Sequence, residues 1–154
     1  MLRLLLAALH LIALGFGLSA VVARGTALRE PPTTGGFTRA FRADAVWGMS
    51  AGLWIVTGAW RLFAETEKTV GYYFGNHAFL AKMGFLALIL VLEIWPMLTL
   101  MRWRVAIRRG SAPEAVADPG TARRIAIISH VQALLVVLMV FAAVAMARGL
   151  GASN

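Results

Sequence analysis

Residues 77–100 read HAFLAKMGFLALILVLEIWPMLTL, and this stretch decides the fold class. Between Phe79 and Leu92 the run is uncharged except for Lys82. About 20 predominantly apolar residues cross the roughly 30 Å hydrocarbon core of a bilayer as a helix. An ionisable side chain at membrane depth costs at least a few kcal/mol and is by default a functional hypothesis. The stretch therefore predicts a membrane helix, with Lys82 as a first candidate site residue.

Three further apolar stretches, 4–23, 43–63 and 125–147, repeat the pattern. The chain is 60% hydrophobic and 14% charged, whereas soluble domains average roughly 45–50% apolar and about 25% charged residues. We therefore predict an all-α integral membrane protein, with residues 1–154 as a single transmembrane domain built as a four-helix transmembrane bundle. Arg3 and the run behind it resemble a signal peptide, but the length of that run and His10 within it favour a retained helix.

The arginines are distributed unequally between the two sides of this bundle. Ten cations follow the first and third helices: Arg24, Arg29, Arg39, Arg42, Arg102, Arg104, Arg108, Arg109, Arg123 and Arg124. The other side has four, Arg3, Arg61, Lys68 and Arg148. The positive-inside rule then places both termini outside the cytoplasm. The net charge of +8 indicates contact with anionic membrane lipids, and no nucleic acid is expected as a partner.

The second helix has a polar and aromatic stripe where lipid contact alone would favour aliphatic residues. Trp47, Ser50, Trp54, Thr57 and Arg61 recur at helical spacing, so we expect this stripe to face the bundle interior. Gly48 and Gly52 form a GxxxG pair, which predicts close approach of a neighbouring helix.

Four further residues are candidates for chemistry: His10, Asp44, Glu93 and His130. At about 1.5 Å per residue, His10 and Lys82 both lie roughly 8–10 Å from the outer surface, whereas His130 is offset from His10 by about 10 Å. His10 and His130 are the candidate metal ligands, since the chain has no cysteine.

Each candidate also has a structural interpretation. His10 can be a packed histidine, and Lys82 can extend its amine to the headgroups. Glu93 can pair with Arg102 or Arg104, and Asp44 can be a charge at a helix N-terminus.

Several strings of this chain resemble a known family: HLIALGFGLSAVVARG, FRADAVWGMSAGLWIVTGAWRLF, EKTVGYYFGNHAFLAKMGFLALILVLEIWPM and LMRWR. They resemble the bacterial inner-membrane proteins grouped as domain-of-unknown-function family 2214, which implies a multi-pass protein of the bacterial inner membrane. In that membrane, the orientation predicted from the arginines makes both termini periplasmic.

His10 early in the first helix and Lys82 early in the third are distantly similar to the membrane protoporphyrinogen oxidases and the CopD-like proteins. That resemblance implies a haem b cofactor, with His10 as axial ligand and Lys82 neutralising a carboxylate. Arg61, Tyr72 and Tyr73 would line the outer mouth of the site.

Three functions follow as hypotheses, and none of them fixes an enzymatic reaction. The first is a haem b protein for electron transfer or porphyrin-linked oxidation, with a porphyrin, a quinone or a redox protein as partner. The second is a small transporter or metal-handling protein with a polar path through His10, Lys82, Glu93 and His130. The third is a structural membrane subunit without a cofactor. A homo-oligomer is compatible with all three.

Overall fold

The computed structural model describes residues 1–31, 33–64, 71 and 75–150. In this part of the chain the helices are α1 (Leu2–Ala27), α2 (Thr34–Phe63), α3 (His77–Arg108), α4 (Pro113–Val116) and α5 (Pro119–Ala147). Three of them, α1, α3 and α5, are long and apolar enough to cross a membrane. The predicted all-α membrane architecture is confirmed at this level. The second predicted span forms a helix of 30 residues but is not among those three.

Most of the long helices extend beyond the apolar stretches that predicted them, because caps set their ends. Thr33 Oγ1 accepts a hydrogen bond from the backbone N of Gly36 (3.1 Å), so α2 begins inside the expected turn-rich linker. Asn76 Oδ1 accepts from Ala78 N and starts α3. Gly110, with φ of +94°, follows the end of α3 in a conformation that glycine adopts readily. Hydropathy identifies only the length of a helix that is apolar enough to lie in the hydrocarbon. Capping decides where the backbone hydrogen bonds of the helix begin and end.

The four long helices run up and down, so Leu2, where α1 begins, and Ala147, where α5 ends, lie at one end of the bundle. At this end, which we call the terminal end, Asn76 Nδ2 donates to the carbonyl of Leu150 (3.4 Å). The opposite, arginine-rich end holds residues 28–31 and 33 of the first connection and residues 109–118. Helix α1 packs along α2 and α5, and α3 packs along α5, whereas α2 and α3 scarcely touch. We call the gap between these two helices the α2–α3 seam.

Small residues decide how closely α1 packs against its neighbours. A Cβ atom at Gly17 would lie 3.4 Å from Ser50 Cβ, and one at Gly58 would lie 3.1 Å from His10 Cε1. Close approach of a neighbouring helix is found at Gly58, but within the described chain no helix approaches the GxxxG pair, where it was predicted. Gly48 and Gly52 lie on the exposed face of α2, with nothing within 4 Å of a Cβ atom at either position.

The stripe on α2 faces the bundle interior, as predicted. The side chains buried there are Trp47, Ser50, Trp54 and Thr57, while Arg61 is half-buried. The two tryptophans join a central apolar core with Ile89 and Met139. The interior-facing residues of α2 are therefore the aromatic and hydroxyl-bearing ones.

Candidate functional site

Arg24, near the end of α1, is the most heavily engaged polar residue in the described part of the chain, and its side chain is 0% exposed. Its Nε donates to Ser129 Oγ (3.0 Å). Nη1 donates to Asp44 Oδ1 (2.9 Å) and Glu93 Oε1 (2.6 Å). Nη2 donates to Glu93 Oε2 (2.9 Å) and Gln132 Oε1 (2.8 Å). The five N–H donors of a guanidinium thus meet five acceptors, which come from α2, α3 and α5.

The acceptors around Arg24 are themselves hydrogen-bonded. Gln132 Nε2 donates to Glu93 Oε2 (2.8 Å) and to the carbonyl of Ile89 (3.2 Å). Arg104 Nη2 lies 3.7 Å from Asp44 Oδ2. Two guanidinium groups therefore balance two carboxylates in what we call the Arg24 network: Arg24, Asp44, Glu93, Arg104, Ser129 and Gln132. Removing one member of such a buried pair costs roughly 3–5 kcal/mol, because its partner is left charged and unpaired.

This network corrects three interpretations made from the sequence. Arg24 was counted among the loop cations, but α1 continues to Ala27 and buries it, which leaves nine cations against four. Asp44 is not an N-terminal charge, since α2 begins at Thr34. Glu93 pairs with Arg24 rather than with Arg102 or Arg104. The sequence did carry a signal, because His10, Gly17 and Arg24 recur every seven residues and so share one face of α1.

His10 lies nearer to the start of α1 than Arg24 does, and it packs against α2. Its Nδ1 is 2.9 Å from Thr57 Oγ1. The same hydroxyl lies 2.8 Å from the carbonyl oxygen of Leu53 and 3.1 Å from that of Trp54. The ring stacks on Trp54, with 5.1 Å between centroids and 21° between planes. The contacts with Thr57 and with the Trp54 ring thus help to position His10.

Lys82 meets the same tryptophan from α3. Its Nζ lies 5.6 Å from the centroid of the Trp54 ring, a cation–π arrangement. The structure therefore brings together the two residues that the sequence placed at similar depth, with Trp54 as their common neighbour. We call His10, Trp54, Thr57 and Lys82 the Trp54 cluster. Tyr72 and Tyr73, proposed for the mouth of the site, lie outside the described residues.

His130 does not join His10. A Cβ atom at Gly25 would lie 2.6 Å from His130 Cε1, and Gly25 is about 22 Å from His10 along α1 at 1.5 Å per residue. The predicted offset of about 10 Å is therefore wrong, and the two imidazoles cannot bind one metal ion. His130 Nδ1 lies 2.6 Å from the carbonyl of Ala126. Among the described residues, no three His, Cys, Asp or Glu side chains are grouped as metal ligands would be.

A cavity lies between the Arg24 network and the Trp54 cluster. Its wall includes Trp47, Ser50, Trp54, Ile89 and Glu93, and its volume is about 50 Å³. That volume is far below the roughly 300–1,000 Å³ of sites for larger ligands, and the exposed lining is almost entirely apolar. A porphyrin does not fit this central cavity. The Glu93 side chain is 18% exposed, in contrast to the fully buried Arg24.

The family model described as "Predicted membrane protein (DUF2214)" matches residues 2–151. The chain therefore belongs to this family, and the sequence-based assignment is confirmed. Comparison with curated proteins finds no match, and comparison with solved structures finds none either.

Proposed function

We propose that this DUF2214 protein is a small transporter that moves protons through the bundle interior. The observation that supports this is the position of the central cavity. Glu93 and Trp54 both line it. The Trp54 ring in turn contacts the His10 imidazole and the Lys82 ammonium group. Ionisable residues inside membrane proteins commonly mark such proton or ion paths.

The residues along this path can hold and pass a proton. We expect Glu93 to exchange the proton, since a carboxylate can accept one. Ser50 lies on the same wall of the cavity, between Trp47 and Trp54, and supplies a hydroxyl. Protonation of Glu93 weakens its bidentate pair with Arg24, while Asp44 keeps the guanidinium neutralised. A cavity of about 50 Å³ is too small for a larger solute, and Ser50 and Glu93 are groups on its wall that can hydrogen-bond a water molecule.

The proposal includes an orientation in the membrane. All four long helices, α2 included, would span the bacterial inner membrane, with the arginine-rich end in the cytoplasm and both termini periplasmic. The nine cations against four support this orientation. The Arg24 network supports it too, because it ties α2 to three apolar helices. A reporter enzyme that is active only in the periplasm should therefore be active when it is fused after Asn154. One that is active only in the cytoplasm should be inactive there.

Proton flux into proteoliposomes tests the transport proposal. With a potassium gradient, valinomycin and an internal pH dye, the wild-type protein should acidify or alkalinise the lumen. In protein that circular dichroism shows to be folded, Glu93→Gln, which keeps the size of the side chain but cannot exchange a proton, should lower this flux at least about tenfold, equivalent to about 1.4 kcal/mol in the barrier. Glu114→Gln, the same change at an exposed position, is the matched control. Ser50→Ala leaves the Arg24 network intact and should also slow the flux. Wild-type vesicles without flux, or unchanged flux in Glu93→Gln, would overturn the proposal.

Haem b binding at His10 stays a prediction, carried by the resemblance and by one observation. Ligating histidines usually hydrogen-bond an oxygen atom through their second ring nitrogen, and His10 Nδ1 lies 2.9 Å from Thr57 Oγ1. The described side chains around the ring would have to separate to admit a porphyrin, since the cavity beside Trp54 holds only about 50 Å³. A Soret band in the purified protein that His10→Ala abolishes and His77→Ala retains would establish haem binding. A colourless protein from haem-replete cells would end the hypothesis.

A further inference from the structure

The α2–α3 seam widens at the arginine-rich end into a second cavity, which the transport path does not use. Its volume is about 320 Å³, and its wall includes Phe41, Arg42, Ala45, Arg104, Ile107 and Arg108. No carboxylate is among its lining residues. The volume falls within the range of sites that bind small ligands, about 300–1,000 Å³. The cavity is therefore basic, partly apolar and large enough for a headgroup.

Arg104 is fixed at the inner wall of this cavity. Its Nη2 donates to the carbonyl of Phe41 (2.9 Å), and its guanidinium carbon lies 5.1 Å from the centroid of the Phe41 ring. Its buried Nε has no hydrogen-bond partner among the described residues. A buried N–H without an acceptor is uncommon in proteins, so a missing hydrogen-bond acceptor beside Arg104 needs an explanation. Asp44 Oδ2 offsets part of the Arg104 charge from 3.7 Å away, whereas Arg42 and Arg108 are exposed.

The α2–α3 seam extends beyond this cavity, because the two helices scarcely touch. At the level of Glu93, residues of α2 and α3 also line the central cavity, together with residues of α1 and α5. Along α3, Arg104 and Glu93 are about 16 Å apart at 1.5 Å per residue, which is close to the roughly 15 Å hydrocarbon depth of one leaflet. An acyl chain that starts beside the arginines therefore reaches the level of Glu93.

We propose that one anionic phospholipid binds in the α2–α3 seam. Its phosphate contacts Arg42, Arg104 and Arg108, and one acyl chain lies between α2 and α3. Arginine is suited to this contact because its planar fork donates two parallel hydrogen bonds to a phosphate. Basic pockets between membrane helices on the cytoplasmic side bind acidic headgroups in the same manner. The site does not depend on transport activity, but it rests on the proposed spanning of the membrane by α2.

Native mass spectrometry of the purified, delipidated protein tests this site. Phosphatidylglycerol and phosphatidylcholine, which share acyl chains and differ in net charge, are titrated separately. We expect the wild-type protein to retain phosphatidylglycerol about tenfold better, equivalent to 1.4 kcal/mol. Arg42→Gln with Arg108→Gln should abolish this preference. The matched control is Arg102→Gln with Arg109→Gln, which removes two exposed cations at the same end that line a different cavity, with Leu98 and Met101.

The possible outcomes distinguish a specific lipid-binding site from general electrostatic attraction between the arginines and acidic lipids. Equal retention of the two lipids by the wild-type protein would overturn the proposal, and so would equal loss in both double variants. Millimolar inorganic phosphate should not displace the bound lipid, because the acyl chain holds it in the seam. Displacement by phosphate would show a phosphate site without a lipid and would also overturn it. If circular dichroism shows that the Arg42/Arg108 variant is unfolded, Arg108→Gln alone should still lower the preference.

Discussion

The Arg24 network and the Trp54 cluster both place charged groups inside the bundle, but they satisfy them differently. Around Arg24, five donors meet five acceptors and the charges balance. In the Trp54 cluster, the Trp54 ring stacks with the His10 imidazole and makes a cation–π contact with the Lys82 ammonium group. A desolvated ion pair is expensive to break, whereas a cation–π contact contributes about 0.5–2 kcal/mol. We infer that the Arg24 guanidinium, which pairs with both carboxylates, holds the helices together, whereas the contacts of the Trp54 cluster can be broken at lower cost.

The largest effect is expected from Arg24→Gln. Glu93 and Asp44 would keep their charges without the guanidinium between them, which should lower the free energy of unfolding by about 3–5 kcal/mol. Thermal unfolding in mild detergent measures this. Arg102→Gln, at an exposed position of α3, should change the melting temperature little. Melting of Arg24→Gln at the wild-type temperature would mean that the network contributes specificity but no stability.

The next effect concerns the close contact of α1 with α5. Gly25→Ala puts a methyl group 2.6 Å from His130 Cε1 and 3.1 Å from Ser129 Cβ, and overpacking of this kind typically costs about 1–3 kcal/mol. Gly48→Ala, where a Cβ atom meets nothing within 4 Å, is the matched control and should be neutral or slightly stabilising. The double variant Gly25→Ala with His130→Ala should recover most of the loss. If it does not, the clash is not with the imidazole.

A smaller effect is expected in the Trp54 cluster. Lys82→Met keeps the length of the side chain and removes the cation, so stability should fall by about 0.5–2 kcal/mol through loss of the cation–π contact. Lys82→Arg keeps a cation above the ring and should retain most of the stability. Thermal unfolding and the emission maximum of Trp54, in a variant whose other tryptophans are replaced by phenylalanine, report the change. Equal behaviour of both variants would show that the ammonium contributes nothing through Trp54.

The smallest effect concerns Asp118, which caps α5 outside the apolar run. Hydrogen bonds from Thr121 N and Thr121 Oγ1 hold the pKa of the Asp118 carboxyl below its ordinary value of 3.8. Because the folded-state pKa is lowered, the stabilisation is complete above the ordinary value and is lost as the pH falls through the folded-state value. The difference in melting temperature between wild type and Asp118→Asn should therefore shrink as the pH is lowered below about 4. A difference independent of pH would contradict the assignment.

Sequence reasoning found part of the candidate site. Depth counting paired His10 with Lys82, and helical spacing identified Trp54 and Thr57 as interior residues. It did not find Arg24, because an arginine at the edge of an apolar stretch is typical of a loop cation. It also left Glu93 without its actual partner, since the partner is 69 residues away along the chain.

The sequence by itself determined that this is an all-helical membrane protein and which stretches form its long helices, because hydropathy and periodicity are local properties of the chain. The tertiary structure decided where those helices end, that Gly48 and Gly52 face outward, and that His130 packs at Gly25, far from His10. It also decided that one guanidinium gathers acceptors from three other helices. These features depend on how each helix is rotated about its axis and on its depth relative to its neighbours. Packing between helices sets both quantities, and composition does not record them.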